Sequence, residues 1–140
     1  MNPTRLKIQL VRHEGLKLKP YKDTVGKVTI GVGRNLDDVG ITSEEAMLLL
    51  ENDIAKCAKG LRDNLPWFEQ LDEVRQRVLL DMAFNLGING LLKFKKTLGF
   101  VQAGEYGLAA TEMLHSQWAE QVGIRSSTLS YMMRVGKDPF

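Results

Sequence analysis

Two carboxylates and one hydroxyl stand close together near the start of the chain, in the order Glu14, Asp23 and Thr29. The spacing is E-x8-D-x5-T, and glycines follow at once in the run I-G-V-G. Two carboxylates held on separate rigid elements are the minimum equipment for cutting a glycosidic bond, because one can donate a proton while the other assists the attack. These three residues are therefore the candidate catalytic groups.

Glu14 closes a helical pattern that we place at residues 5–14. Leu6, Leu10 and Glu14 follow one another at four-residue spacing, so they share one face of that helix. We expect this face to be buried, so that desolvation and the negative helix end both disfavour the charged carboxylate, as a general acid near neutral pH requires. Taken alone, Glu14 is more simply explained as an ordinary surface glutamate at a helix end.

The apolar period changes after residue 15, and we predict a small antiparallel sheet within residues 16–33. Asp23 falls in a polar turn between two strand-like runs. Thr29 alternates with Val28 and Ile30, so its side chain should face a cleft if those two face a core. Read separately, Asp23 could be only a turn former and Thr29 only a strand filler.

The other elements are predicted to be helices, so we expect an α+β protein that is predominantly α. Thr42 and Glu45 form a capping box that begins a long helix over residues 42–62. Thr4 is the expected cap of the first helix and Gly15 its stop. Further helices are predicted at about 72–86, 91–94, 96–103, 105–115 and 125–135, with residues 34–40 as a connector.

Charge is distributed unevenly along the chain, although the net value is only +2. Residues 1–34 hold eight Lys or Arg against two acids, whereas residues 35–140 hold eleven against fifteen. A basic first part suits an anionic polymer as partner, or it keeps a small lobe dispersed in water. No helix shows a basic stripe with base-reading residues, so we expect no nucleic-acid partner.

The chain shows no sign of a secreted or membrane-inserted protein. Cys57 is the sole cysteine, so no internal disulfide can form, and it falls in an apolar helical pattern. The first residues lack the apolar core of a signal peptide, and no segment reaches membrane-spanning length. His13 and His115 show no ligand spacing, so we expect neither a metal nor another cofactor.

The motif resembles that of glycoside hydrolase family 24, the T-even phage lysozymes and related phage endolysins. The resemblance covers essentially the whole chain, residues 1–140, as one lysozyme-like domain. It implies a sheet-containing lobe at about 15–41, a connecting helix at 42–62, and a helical lobe at 63–140 that includes helix 4–14. It also implies that Glu14, Asp23 and Thr29 are catalytic.

The same resemblance implies the residues that contact sugar, namely Asn35, Phe84, Asn85, Thr97 and Arg125. Arg125 is expected to contact Glu14, which would favour the carboxylate. Arg34 is expected to pair with Asp53, where relatives keep an acidic partner. The chain departs from the family pattern at His13, Glu112 and Gln117.

The resemblance implies an endolysin that hydrolyses the β-1,4 bond between N-acetylmuramic acid and N-acetylglucosamine with inversion. It would act as a monomer that is made in the host cytoplasm, released by a separate holin-type protein, and active on glycan strands of peptidoglycan in the periplasm. The alternatives are a lytic transglycosylase, a chitinase-like glycosidase and a module that binds peptidoglycan without cutting it.

Overall fold

The computed structural model describes residues 2–139 and confirms an α+β fold that is predominantly helical. A 3-10 helix, Phe68–Gln70, follows the second α-helix. The helices are α1 Pro3–Glu14, α2 Ser43–Asn64, α3 Glu73–Leu86, α4 Ile88–Leu92, α5 Lys95–Gln102, α6 Tyr106–Leu114, α7 Gln117–Val122 and α8 Ile124–Val135, and the strands are β1 Lys17–Lys22, β2 Val28–Gly31 and β3 Arg34–Asn35.

The chain divides into two compact units. The first ends at Leu49 and contains α1, the sheet and the first turns of α2. The second begins at Leu50 and contains the remaining part of α2 and all later helices. The boundary therefore falls inside one continuous helix.

The sheet has the strand order β1-β2-β3, and both pairings are antiparallel. Tyr21 lies opposite Thr29, which in turn lies opposite Asn35. The third strand corrects our prediction of a connector from residue 34 onward. Gly33 adopts a φ of +71°, which favours glycine, and this turn brings Arg34 back alongside Ile30.

Helix α1 begins earlier than predicted because Asn2, and not Thr4, is its cap. The Asn2 side chain accepts hydrogen bonds from the backbone N–H groups of Thr4 and Arg5, at 3.0 and 3.3 Å. Pro3 occupies the first helical position, where a missing N–H costs nothing. The predicted stop at Gly15 is confirmed, since its N–H donates to the Val11 carbonyl.

The apolar face of α1 is not buried, contrary to our expectation. Leu6 and Leu10 are 38% and 42% exposed, and none of the helix residues is buried. Helical periodicity shows which side chains share a face, but burial depends on what packs against that face.

The start of α2 is as predicted. Thr42 Oγ1 accepts from the Glu45 N–H at 3.1 Å, and Glu45 Oε1 accepts from the Thr42 N–H at 2.9 Å. This reciprocal pair is the capping box read from the sequence, and it fixes where the helix begins.

The hydrophobic core described here lies in the second unit. Val78 and Met82 of α3 are fully buried. Helix α6 packs extensively against α8. Ser116 caps α7, a helix that is not among those predicted from the sequence. Other buried members of this core are Leu61, Leu79, Leu91, Val101, Ala109, Ala110, Met113 and Met133.

Within residues 2–139, no helix combines the length and the apolar character needed to cross a bilayer.

Candidate active site

Glu14 is the last residue of α1, and its carboxyl group lies against the turn between β2 and β3. A Cβ atom placed on Gly33 would be 3.1 Å from Glu14 Oε2 and 3.4 Å from Glu14 Cδ. The absence of a side chain at Gly33 therefore lets the carboxyl approach the backbone of the sheet. The Glu14 side chain is exposed, so the burial that we expected from its helical face is not what the structure shows.

Asp23 closes the turn between β1 and β2. Its Oδ1 atom accepts from the backbone N–H groups of Val25 and Lys27, at 3.0 and 2.8 Å. Both bonds end on the same oxygen, so Oδ2 is available as an acceptor for a ligand. The turn-forming role that the sequence left open for Asp23 is real, and it leaves half of the carboxylate for chemistry.

Thr29 is 3% exposed, which corrects the expectation that its side chain faces an open cleft. Its flanking residues Val28 and Ile30 are only half-buried. Alternation had placed Thr29 on the opposite face from these two, which is correct, but the face that carries the threonine is the more buried one. The Thr29 hydroxyl donates to the Lys27 carbonyl at 2.9 Å.

One peptide group holds Asp23 and Thr29 together. The Lys27 carbonyl accepts from the Asp23 N–H and from the Thr29 hydroxyl, both at 2.9 Å. The distance between the Asp23 backbone nitrogen and Thr29 Oγ1 therefore cannot exceed the sum of these two distances. Sequence reading missed this role of Lys27 because it belongs to the backbone. The only signal was the turn T-V-G-K, in which Gly26 adopts a φ of +85°.

Asn35 of β3 lies directly opposite Thr29 of β2. Its amide Nδ2 donates to Asp38 Oδ2 at 3.0 Å, and its Oδ1 accepts from the Asp38 N–H at 3.0 Å. The side chain therefore orders the loop that follows β3. Asn35 is the one predicted sugar contact that lies in the same unit as the three candidate catalytic residues.

Arg34 pairs with Glu45, which corrects our prediction of Asp53 as its partner. Arg34 Nη1 lies 2.7 Å from Glu45 Oε1 and donates to the Gly40 carbonyl at 3.1 Å. The capping box already points the Glu45 carboxylate back past the start of α2, where the arginine meets it. The hydrogen bond from Arg34, followed by the one from the Thr42 N–H, lowers the pKa of Glu45 to about 2, and the same pairing raises the pKa of Arg34.

The depressed pKa of Glu45 predicts an acid-sensitive contribution to stability. A carboxyl whose pKa is lower in the folded protein stabilises it above the ordinary value of 4.5, and this contribution disappears as the pH falls through about 2. We expect Glu45→Gln to flatten the fall in melting temperature between those pH values. Glu51→Gln, an exposed helical glutamate, is the control and should leave the slope unchanged. Equal slopes for wild type and Glu45→Gln would contradict the prediction.

In the second unit, Asn85 accepts a hydrogen bond from a buried tryptophan. Trp118 is 4% exposed, and its indole N–H donates to Asn85 Oδ1 at 2.8 Å. The ring of Phe94 meets Trp118 edge-on, with centroids 6.0 Å apart. With Oδ1 occupied, Asn85 retains its amide N–H groups for a sugar.

Asn85→Ala should lower the free energy of unfolding by about 0.5–1.5 kcal/mol, because it removes the acceptor of the part-buried indole N–H. Asn85→Asp keeps an acceptor oxygen and should lose less. Asn89→Ala, at an exposed asparagine of the neighbouring helix, is the matched control. Chemical denaturation followed by tryptophan fluorescence measures the difference, and a loss no larger than that of Asn89→Ala would contradict this role.

The remaining predicted sugar contacts have different surroundings. Thr97 is 2% exposed and belongs to the core, so the structure does not favour direct sugar contact by its hydroxyl. Phe84 is 47% exposed. Arg125 pairs with Asp81, with Nη2 2.6 Å and Nε 2.8 Å from Asp81 Oδ1.

Phe84 and Arg125 line a cavity of about 560 Å³ in the second unit. The Asp81–Arg125 pair forms a polar part of its wall, and Cys57 contributes a half-buried thiol. Burial raises the pKa of the Cys57 thiol, so it is kept in its neutral form. The other lining residues are mostly apolar, namely Leu50, Ile54, Arg77, Leu80, Thr128, Leu129 and Met132.

Across the described residues, His, Cys, Asp and Glu side chains form no group that could hold a metal ion.

The protein is helical with a small antiparallel sheet, and an exposed carboxyl lies against that sheet. This arrangement is typical of a lysozyme-type glycosidase, which uses carboxyl groups to cleave the bond between two sugars. The phage lysozyme family matches residues 11–132. The chain therefore belongs to the phage lysozyme family. It is an enzyme, a lysozyme, and peptidoglycan is the substrate that the family implies.

Individual relatives agree with this assignment. The chain is 30% identical to "Probable T4-type lysozyme 1" of Dictyostelium discoideum, over 94% of each chain. It is 28% identical to "Endolysin" of Acyrthosiphon pisum secondary endosymbiont phage 1, over 85% of this chain and 82% of the relative. It is also 29% identical to "Pre-baseplate central spike protein Gp5" of Enterobacteria phage T4, where 96% of this chain matches 28% of the relative.

Proposed function

We propose that this lysozyme hydrolyses the β-1,4 bond between N-acetylmuramic acid and N-acetylglucosamine, with inversion at the anomeric carbon. The observation that carries the proposal is the position of the Glu14 carboxyl against the Gly33 turn. The sheet that contains this turn also carries Asp23 and Thr29, joined through the Lys27 carbonyl. Such a reaction needs one group that protonates the leaving oxygen and a second that activates water. Glu14 at the helix end can supply the first, and Asp23 with Thr29 can supply the second.

Glu14 is the general acid. In its protonated form it donates to the oxygen that leaves with the adjoining sugar, so that the broken bond does not release an alkoxide. Its position at the end of α1 is exposed.

Asp23 and Thr29 act on the attacking water. The Thr29 hydroxyl gives its only proton to the Lys27 carbonyl, so toward a water molecule Thr29 can act only as an acceptor. A water that donates one hydrogen bond to Thr29 Oγ1 and the other to Asp23 Oδ2 keeps a lone pair for the anomeric carbon. As the new C–O bond forms and the glycosidic bond breaks, the proton of this water passes to the Asp23 carboxylate. Inversion needs room for this water, which corresponds to carboxyl groups about 6.5–9.5 Å apart.

Asp23 also stabilises the positive charge that develops on the sugar ring in the transition state. Asn35 and the exposed ring of Phe84 are proposed to contact sugar, Asn35 beside Thr29 and Phe84 by stacking. Asn85 and Arg125 are proposed to donate hydrogen bonds to the sugar from their amide and guanidinium N–H groups. Thr97 is buried, and its proposed role is to shape the core of the second unit.

Analysis of the digestion products tests the reaction. We expect ordinary reducing muramic acid ends, formed first as the α-anomer because the cleaved bond is β. Proton NMR within the first minutes resolves the anomer, and mass spectrometry resolves the ends. Anhydromuramic ends would mean a lytic transglycosylase, cleavage of chitin oligomers a chitinase-like enzyme, and binding without cleavage a non-catalytic module. Any of these three results would replace the proposal.

The proposed biological role is host cell lysis by an endolysin that acts as a monomer. The relative named "Endolysin" supports this role. The enzyme would be made in the host cytoplasm and reach the periplasm through a separate holin-type protein. Expression in a Gram-negative host should cause lysis only when a pore-forming protein is produced with it, and lysis without one would overturn the release step.

A further inference from the structure

Six cationic side chains cluster in the sequence on α1 and β1, and we call them the basic surface. All six are exposed. They are Arg5, Lys7, Arg12, Lys17, Lys19 and Lys22.

No acid within the described part of the chain forms an ion pair with any member of the basic surface. The next two cations of the same unit differ in this respect. Lys27 pairs with Asp38 at 3.2 Å, and Arg34 pairs with Glu45 at 2.7 Å. Two acids of this unit therefore pair with other cations, whereas the six cations of the basic surface have no such partner.

The basic surface flanks the proposed general acid. Helix α1 ends at Glu14 and β1 begins at Lys17, so two short segments carry cations on either side of the acid in sequence. Glu14 is the single acidic residue between positions 3 and 22. Arg12 and Lys17 are the members nearest to Glu14 in sequence, and Lys17 pairs in the sheet with Gly31, two residues before the Gly33 that the Glu14 carboxyl lies against.

Protection of the sheet edge explains only part of this charge. Strand β1 stands at one end of the sheet order, and lysines on an edge strand discourage pairing with another chain. That role covers Lys17, Lys19 and Lys22 but not the three cations of α1. Like charges left without partners repel one another, so their accumulation on neighbouring segments favours an anionic partner.

We propose that the basic surface binds the carboxylates of the stem peptides of peptidoglycan while the glycan lies at Glu14. This inference rests on the proposed function, because it takes the cleaved strand as its reference. Each muramic acid along the strand can carry a short peptide with free carboxylates, so an anionic group recurs beside the bond that is cut. Ammonium and guanidinium groups form charge-assisted hydrogen bonds with such carboxylates.

The test uses a variant in which Arg5→Gln, Lys7→Gln and Arg12→Gln are combined, since edge protection does not account for these three cations. Both it and the parent carry Glu14→Gln, so that ligands stay intact. Calorimetry measures the Kd for soluble glycan fragments of one length, with stem peptides and after an amidase has removed them. We expect the Kd for peptide-bearing fragments to rise about three- to tenfold and its dependence on NaCl to weaken, because exposed charges act through a screened field. The Kd for peptide-free fragments should change less.

A control variant removes the same charge elsewhere. Lys56, Lys93 and Lys137 are exposed, form no ion pair within the described residues, and lie in the second unit. Their combined change to glutamine should leave both Kd values unchanged. Equal weakening for the two kinds of fragment, or no weakening, would overturn the proposal.

Two other results have a clear meaning. If the triple variant lost binding only to anionic phospholipid vesicles, the basic surface would be a membrane contact and the proposal would be wrong. If wild-type protein cut no glycan while the peptide preference held, the proposed hydrolysis would fail and the proposed binding surface would stand.

Discussion

Glu14→Gln should leave a folded protein with almost no lytic activity. Glutamine has nearly the same shape but no proton to give to the leaving oxygen, and general acid catalysis of this kind is worth about 10²–10⁴-fold in rate. Because Glu14 is exposed and forms no ion pair among the described residues, the melting temperature should change little. Turbidity loss of permeabilised Gram-negative cells and release of reducing ends from purified peptidoglycan measure the rate.

The control for this variant is Glu51→Gln, which changes the same group at an exposed position of α2. It should retain full activity. Persistent lysis by Glu14→Gln at more than about a tenth of the wild-type rate would show that the acid is assigned to the wrong residue. A lower rate accompanied by a lower melting temperature would instead point to a structural role beside Gly33.

Asp23→Asn should reduce the rate by a similar factor, about 10²–10⁴-fold, while the turn between β1 and β2 stays formed. Asparagine retains an oxygen that can accept from the N–H groups of Val25 and Lys27, so the two hydrogen bonds of Oδ1 survive. What disappears is the negative charge that orients the water and stabilises the developing positive charge on the sugar. Initial rates on purified peptidoglycan and thermal unfolding measure the two effects separately.

Asp23→Ala distinguishes the role of Asp23 in stabilising the turn from its role in the reaction. It removes the charge and both hydrogen bonds, so we expect the same loss of rate together with a stability loss of about 1–2 kcal/mol. Asp63→Asn, which breaks an exposed pair with Lys59, is the charge control and should leave the rate unchanged. Wild-type activity in Asp23→Asn would restrict Asp23 to turn formation.

Two predictions that depend on local chemistry were confirmed. The capping box of Thr42 and Glu45 and the stop at Gly15 each join groups within four residues of one another. Such bonds form wherever the backbone allows them, because both partners are supplied by the same short segment. The first cap was missed by two positions because Asn2 and Thr4 are both good capping types, and Pro3 decides between them by fitting the first helical position.

Predictions that required a choice between partners or faces were less successful. Arg34 met Glu45 and not Asp53, because the capping box had already fixed the direction of the Glu45 carboxylate. The alternation of side chains along the strand placed Thr29 on the other face of the sheet from Val28 and Ile30. It could not show that the Thr29 side chain would be the buried one. Leu6 and Leu10 share a face as predicted, and that face is exposed.

The sequence by itself determined the residue types of the site, the helices that begin and end at local signals, and the membership of a lysozyme family. Only the tertiary structure decided that the Glu14 carboxyl lies against Gly33, and that Asp23 and Thr29 meet at the Lys27 carbonyl. The physical reason is that these contacts use backbone atoms, which every residue has. A carbonyl oxygen leaves no mark in the sequence, and it becomes specific only when the chain folds around it.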